Sequence, residues 1–187
     1  MTAQSPTTAA SVAQLTEAKD LIRAVAVLLA AVFMVGSNAV FAARQVPISS
    51  EGPGGPIDPA AYAFAIWGVI FLLATGFGVY AVLPTNPSRA LVRQTGWFAA
   101  MAFITAGLWP IAVAYRKLDL AEVVIVAMWG FLAAAYLYFI PIQGMTSAER
   151  WLGGLLFGMF FGWVTAANAV SLQSRTTDWG ASLSVMK

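Results

Sequence analysis

The sequence predicts an all-α membrane protein, a bundle of five transmembrane helices, and three observations carry that expectation. Hydrophobic residues make up 60% of the 187-residue chain and charged residues only 10%, whereas an ordinary soluble domain carries about 25% charged residues. Mean hydropathy is +0.78. Five apolar runs, separated by polar or proline-containing segments, are each long enough to cross a hydrocarbon core of roughly 30 Å at about 1.5 Å per residue. One soluble core could not hide this much apolar surface, so lipid is the first partner.

Residues 1–20 are rich in Ser, Thr, Ala and Gln and read as a flexible segment, with Leu15 to Asp20 leading into a helix. The first span is expected over 24–43. Lys19 and Arg23 ahead of it, with Val40-Phe41-Ala42 behind, permit a signal-peptide reading. The apolar run is longer than the roughly 7–15 residues of a signal core, which favours a span. Ser49-Ser50-Glu51-Gly52-Pro53-Gly54-Gly55-Pro56 then breaks helix and strand alike. The second span is expected over 62–83, ended by Pro84 and Asn86-Pro87. The third is expected over 96–115. Pro110 within it removes a backbone donor and predicts a kink near Ala106. Arg116, Lys117 and Asp119 make a short turn, the fourth span covers 122–140 up to Pro141, and the fifth covers 151–170. The three together with the first two define a transmembrane domain over 21–172, and residues 173–187 read as a loose polar tail.

Five spans put the two ends on opposite sides of the membrane. Lys19, Arg23, Arg89, Arg93 and Arg150 fall on the N-terminal side. Arg44, Arg116, Lys117, Arg175 and Lys187 fall on the other, so the basic residues divide evenly and set no orientation.

What the chain lacks narrows its function. It has no Cys and no His, so thiolate chemistry, a disulfide framework and the commonest metal ligand are excluded; no metal site is expected. Net charge is +2 without a basic patch, which excludes nucleic acid as a partner. No span carries a charge near its centre, which argues against pumps, proton-coupled transport and voltage sensing. Glu51, Asp58, Asp119, Glu122 and Glu149 lie in loops or at span ends and read as solvated charges, so no catalytic residues are expected.

The spans do carry aromatics. Trp97 and Trp151 stand near helix starts, where membrane tryptophan is usual. Trp67, Trp109, Trp129 and Trp163 stand well inside, where the ring N–H needs a partner and the flat face offers a platform. Phe64, Trp67 and Phe71 recur at three and four residues and share one helix face. Helix packing explains such a face; so does an aromatic pocket for a flat apolar ligand. The pocket reading places Trp67, Trp109 and Trp163 around a common cavity with Phe64, Phe71 and Ala167, and Tyr62 at its loop side. Gly154, Gly158, Gly162 and Ala166 repeat every four residues and predict close helix packing, with Gly158 at the nearest approach. Val113-Ala114-Tyr115-Arg116-Lys117 fits a loose cholesterol pattern, and equally an interfacial tyrosine beside basic residues.

From about Ala24 to Ser171 the chain resembles the TspO/MBR family, the tryptophan-rich sensory proteins related to the mitochondrial translocator protein. Ile66-Trp67-Gly68-Val69-Ile70-Phe71 is similar to its helix-2 segment, Gly107-Leu108-Trp109-Pro110-Ile111 with Tyr115-Arg116-Lys117 to its helix-3 end, and Trp163-Val164-Thr165-Ala166-Ala167 to its helix-5 segment. The chain departs from the family where Ala106 replaces an Asn, where a Trp- and Pro-rich loop is reduced to Pro59 and Tyr62, and where Met159-Phe160-Phe161 replaces a Pro-Tyr pair. The resemblance implies a multi-pass protein, expected in the bacterial inner or plasma membrane and frequently a homodimer. It implies binding of a porphyrin such as protoporphyrin or haem, of sterols or of aromatic drugs, with a role in tetrapyrrole regulation or stress response. It also implies one alternative, light-driven porphyrin breakdown, while the departures at Ala106 and in the loop leave open a second, lipid and sterol handling without porphyrin. No cofactor is required by the sequence. Met101 and Tyr115 would be poor axial ligands, so iron adds little to binding.

Overall fold

The computed structural model describes residues 6–44 and 61–185, with side chains described over 14–44 and 62–172. Helix α1 runs Pro6–Ala43, α2 Ile66–Val82, α3 Ala90–Ala114, α4 Leu118–Phe139 and α5 Ser147–Val185. Short 3₁₀ turns precede α2 at Ala61–Ala65 and α3 at Asn86–Ser88. No strand occurs among the described residues. Each helix contains a stretch long and apolar enough to cross a membrane: Gln14–Ala43, Tyr62–Val82, Ala90–Ala114, Leu118–Phe139 and Ser147–Leu172.

The helices extend beyond the apolar runs at several ends. α1 begins at Pro6, so only residues 1–5 of the expected flexible segment lie outside the described residues. Proline is well suited to a first helical turn, and Ala, Gln, Leu, Glu and Lys behind it carry the helix on. α5 continues to Val185 through the stretch expected to be loose, where no proline interrupts it. The expected loop over 49–56 lies outside the described residues. α3, α4 and α5 each start ahead of the expected span, because apolarity marks the part in lipid whereas hydrogen bonding sets the helix.

The bundle closes as a ring in which α1 neighbours α2 and α3, α3 neighbours α4, α4 neighbours α5, and α5 returns to α2. The α1–α3 and α3–α4 seams are the most extensive and α2–α5 the sparsest of the five. Phe77, Phe103, Phe157, Phe160, Met34, Ile70 and Leu132 are fully buried at its centre.

α3 stays helical through Pro110, and α1 explains how. A proline at 110 has no N–H to give the Ala106 carbonyl. Asn38 Nδ2 donates to that carbonyl at 3.2 Å, and Ser37 Oγ donates to the adjoining Gly107 carbonyl at 2.7 Å. The two helices can come this close because position 107 has no side chain: a Cβ there would sit 2.5 Å from the Phe33 ring and 3.2 Å from Met34 Cα. Gly78 plays the same part between α2 and α1, where a Cβ would lie 3.1 Å from Leu28 Cα.

The small-residue stripe on α5 is not such a place. A Cβ on Gly154 would meet the Phe139 ring at 3.8 Å and one on Gly158 only Tyr136 at 4.0 Å, while Gly162 has open space and Ala166 is exposed. The expectation that Gly158 marks the nearest approach is corrected: aromatic rings from α4 hold the α5 backbone off along this face. On α5 the tight glycine is Gly153, one residue round the helix, where a Cβ would lie 2.5 Å from the Phe139 ring.

Candidate functional site

The aromatic side chains of α2 and α5 meet across the sparsest seam of the ring. Phe64 lies in the 3₁₀ turn that starts α2, and Trp67 and Phe71 follow one helical turn apart. Trp67 is tilted against Phe71 with centroids 5.4 Å apart and meets Phe160 of α5 edge-on at 5.7 Å. Phe64 meets Trp163 edge-on at 5.5 Å. Phe160 in turn stacks on Phe103 of α3 at 6.5 Å, which joins the seam to the core. Edge-on contacts put the positive rim of one ring on the negative face of another, so these rings hold one another in place while presenting flat apolar surface.

Four of the predicted binding residues are thus brought into this aromatic set: Phe64, Trp67, Phe71 and Trp163. Ala167, one turn after Trp163, is half-buried and packs against the core. Tyr62 stands in the 3₁₀ turn ahead of α2 and is 84% exposed. Trp109 is half-buried on α3 and makes no ring-to-ring contact with Trp67 or Trp163 among the described residues. Sequence reasoning missed Phe160 and Phe103. Both were legible as apolar helix residues, but nothing in a linear pattern says which phenylalanines of different helices will meet.

Trp129 shows how a tryptophan within the membrane satisfies its N–H. Its Nε1 donates to Thr165 Oγ1 at 2.9 Å, and Thr165 passes a hydrogen bond to the Phe161 carbonyl at 2.8 Å. The Trp129 ring also lies 5.7 Å from Phe161, fixing α4 to α5.

One end of the bundle is closed by buried charge, contrary to the expectation that Glu149 is a solvated loop acid. Glu149 is 2% exposed. Its carboxylate accepts two hydrogen bonds from Arg89 at 2.8 and 2.6 Å, one from the Tyr80 hydroxyl at 2.6 Å and one from the Thr146 N–H at 2.7 Å. Thr146 Oγ1 accepts from the Glu149 N–H at 3.2 Å, completing a capping box at the start of α5. The Thr-x-x-Glu spacing over 146–149 was the sequence signal for it. Arg89, outside the spans, is held further above its ordinary pKa chiefly by its hydrogen bonds to Glu149. Asp20 is the second such acid. It is 3% exposed, accepts from Arg93 Nε at 2.9 Å and Arg23 Nη1 at 3.1 Å, and ties α1 to α3. At the other end Glu122 accepts the Ser171 hydroxyl, joining α4 to α5.

Two clefts lie apart from the aromatic seam, one beside Arg89 and Gln143, the other along α3 and α4 near Lys117. Neither is lined by Trp67, Trp109 or Trp163. Among the described residues no three His, Cys, Asp or Glu side chains converge as a metal site.

Comparison with known proteins agrees with this architecture. The family model described as TSPO-like protein matches residues 18–186, which takes in the last four spans whole and all but the first four residues of the first. No curated protein and no solved structure matches the chain. With five apolar helices closing one bundle and a family match over nearly its whole length, the chain belongs to the TSPO-like protein family and is an integral, multi-pass membrane protein.

Proposed function

We propose that the protein is a membrane receptor that binds a flat apolar ligand, a tetrapyrrole first among them, at the α2–α5 aromatic seam and serves regulation or stress response rather than catalysis. The observation that carries this reading is the set Phe64, Trp67, Phe71, Phe160 and Trp163 at the sparsest helix contact. A planar ligand enters by exchanging ring–ring contacts for ring–ligand contacts, and the sparse seam lets α2 and α5 part at low cost. The absence of His and Cys from the chain leaves stacking and apolar burial as the binding forces. Free-base protoporphyrin is therefore expected to bind at least as well as haem.

The test is a tryptophan-fluorescence titration of the purified protein with protoporphyrin, haem and a sterol. Stacking on an aromatic side chain is worth roughly 1–3 kcal/mol by analogy with nucleobases. Trp67→Ala and Trp163→Ala should each weaken protoporphyrin binding about tenfold, and Trp151→Ala, exposed at the start of α5, should leave it unchanged. Wild-type affinity in both seam variants, or binding of haem alone with a spectrum of strong axial ligation, overturns the reading. Sterol binding with no porphyrin binding moves the function to lipid handling. Loss of porphyrin absorbance on illumination, beyond that in detergent alone, would make the protein a photochemical enzyme instead.

A further inference from the structure

Buried acids hold some of the chain's cations and leave others free among the described residues. At one end Arg23, Arg89 and Arg93 are each paired with Asp20 or Glu149. At the α3–α4 turn, Arg116 and Lys117 make no hydrogen bond or ion pair through their side chains among the described residues. The neighbouring acids do not supply one: Glu122 takes the Ser171 hydroxyl, and Asp119 is itself engaged.

This turn closes the mouth of an apolar groove on the outside of the bundle. The groove, about 380 Å³, is walled by Leu108, Ile111 and Ala112 of α3 and by Leu120 and Val124 of α4, with Tyr115 and Lys117 at its end. Leu108, Leu120 and Tyr115 are all exposed and face outward, where lipid surrounds the chain. The turn itself is fixed. Lys117 N–H donates to the Ala112 carbonyl and Arg116 N–H to the Val113 carbonyl, both at 2.9 Å, which ends α3 in a Schellman motif. Arg116 holds the left-handed position at φ 54°, where glycine is usual. A cation thus occupies a site that backbone sterics would give to the smallest residue.

We propose that the α3–α4 turn is a binding site for an anionic phospholipid, with one acyl chain in the groove and the phosphate between Arg116 and Lys117. The groove wall is chemically matched to an alkyl chain, the two cations without a side-chain partner among the described residues to a phosphate, and the Tyr115 ring to the headgroup level. A sterol brings no anion to the cations and free phosphate brings no chain to the groove; of the three, an anionic phospholipid satisfies both. The site is independent of the α2–α5 seam.

The test uses the full chain in neutral detergent, with melting temperature read against added dioleoyl phosphatidylglycerol, dioleoyl phosphatidylcholine, cholesterol and inorganic phosphate. Retention of phosphatidylglycerol is read in parallel by native mass spectrometry. Phosphatidylglycerol should bind in preference to phosphatidylcholine, and phosphate alone should have no effect. Each cation near a membrane surface contributes enough to anionic-lipid binding that Arg116→Gln and Lys117→Gln should each weaken it roughly fivefold. Val124→Trp, which fills the groove, should weaken binding of both phospholipids. Arg150→Gln, an exposed cation at the other end, should leave the preference intact. Equal binding of the two phospholipids by the wild type, an unchanged preference in the double Gln variant with native helix content, or equal stabilisation by cholesterol or phosphate overturns the proposal.

Discussion

Gly107 and Gly162 are chemically identical residues in helices of one bundle, and their surroundings make them opposite in consequence. At 107 a methyl group has nowhere to go: the Phe33 ring and the Met34 backbone are within 3.2 Å of where it would sit. Overpacking a tight site costs roughly 1–3 kcal/mol. Gly107→Ala should therefore lower the melting temperature in detergent and loosen the Ser37 and Asn38 hydrogen bonds to α3. At 162 a methyl group meets nothing within 4 Å, and alanine is the better helix former by about 1 kcal/mol. Gly162→Ala should hold or raise the melting temperature. Equal loss in both variants would show that backbone flexibility, not close approach, decides the glycine positions. Asn38 carries a related lesson. The family pattern has an Asn where this chain has Ala106, and here an Asn from α1 reaches the Ala106 carbonyl instead.

Between elements, the ends of the helices are joined by buried polar clamps that the hydropathy pattern does not reveal. Glu149 links α5 to Tyr80 of α2 and to Arg89 ahead of α3. Glu149→Ala removes the capping box and leaves the Tyr80 hydroxyl and the Thr146 N–H without their acceptor. A lost helix cap typically costs about 1 kcal/mol and a lost hydrogen bond to a charged group roughly 1.5–3 kcal/mol, so this variant should melt below the wild type. Arg89→Ala should also destabilise, because the Glu149 carboxylate then remains buried without its cation. The double variant should lose less than the sum of the two single losses, since groups in one network couple. Additive losses in that cycle would mean that Arg89 and Glu149 stabilise the chain independently, and the clamp would be wrong.

For the whole molecule, the prediction concerns helix order. The chain has no cysteine, so an engineered pair reports on contact without background. Gly78 and Leu28 approach closely across α2 and α1. Leu28→Cys with Gly78→Cys should form an intramolecular disulfide on oxidation, whereas Leu28→Cys with Gly158→Cys should not, because Gly158 faces Tyr136 on α4. A cross-link in the second pair would rearrange the ring.

Lipid as solvent makes the coarse fold legible in a sequence. Every backbone group must be satisfied within its own segment, so an apolar run of span length becomes a helix whatever surrounds it. The five helices, the family and the shared face of Trp67 and Phe71 follow from residue order and period alone. Which faces meet does not. Apolarity drives helices into lipid but does not drive them together, so the partner of each face is settled by shape and by hydrogen bonds between residues far apart in sequence. Only the tertiary structure could show that Gly107 and Gly153, and not Gly158, are tightly packed glycines, that Glu149 is buried, and that Phe160 joins the aromatic seam. It also shows Trp109 packed against the same core as Trp67 and Trp163 but without a ring contact to either among the described residues, because a helix period fixes the direction of a side chain around its own axis and says nothing of the neighbour it will find there.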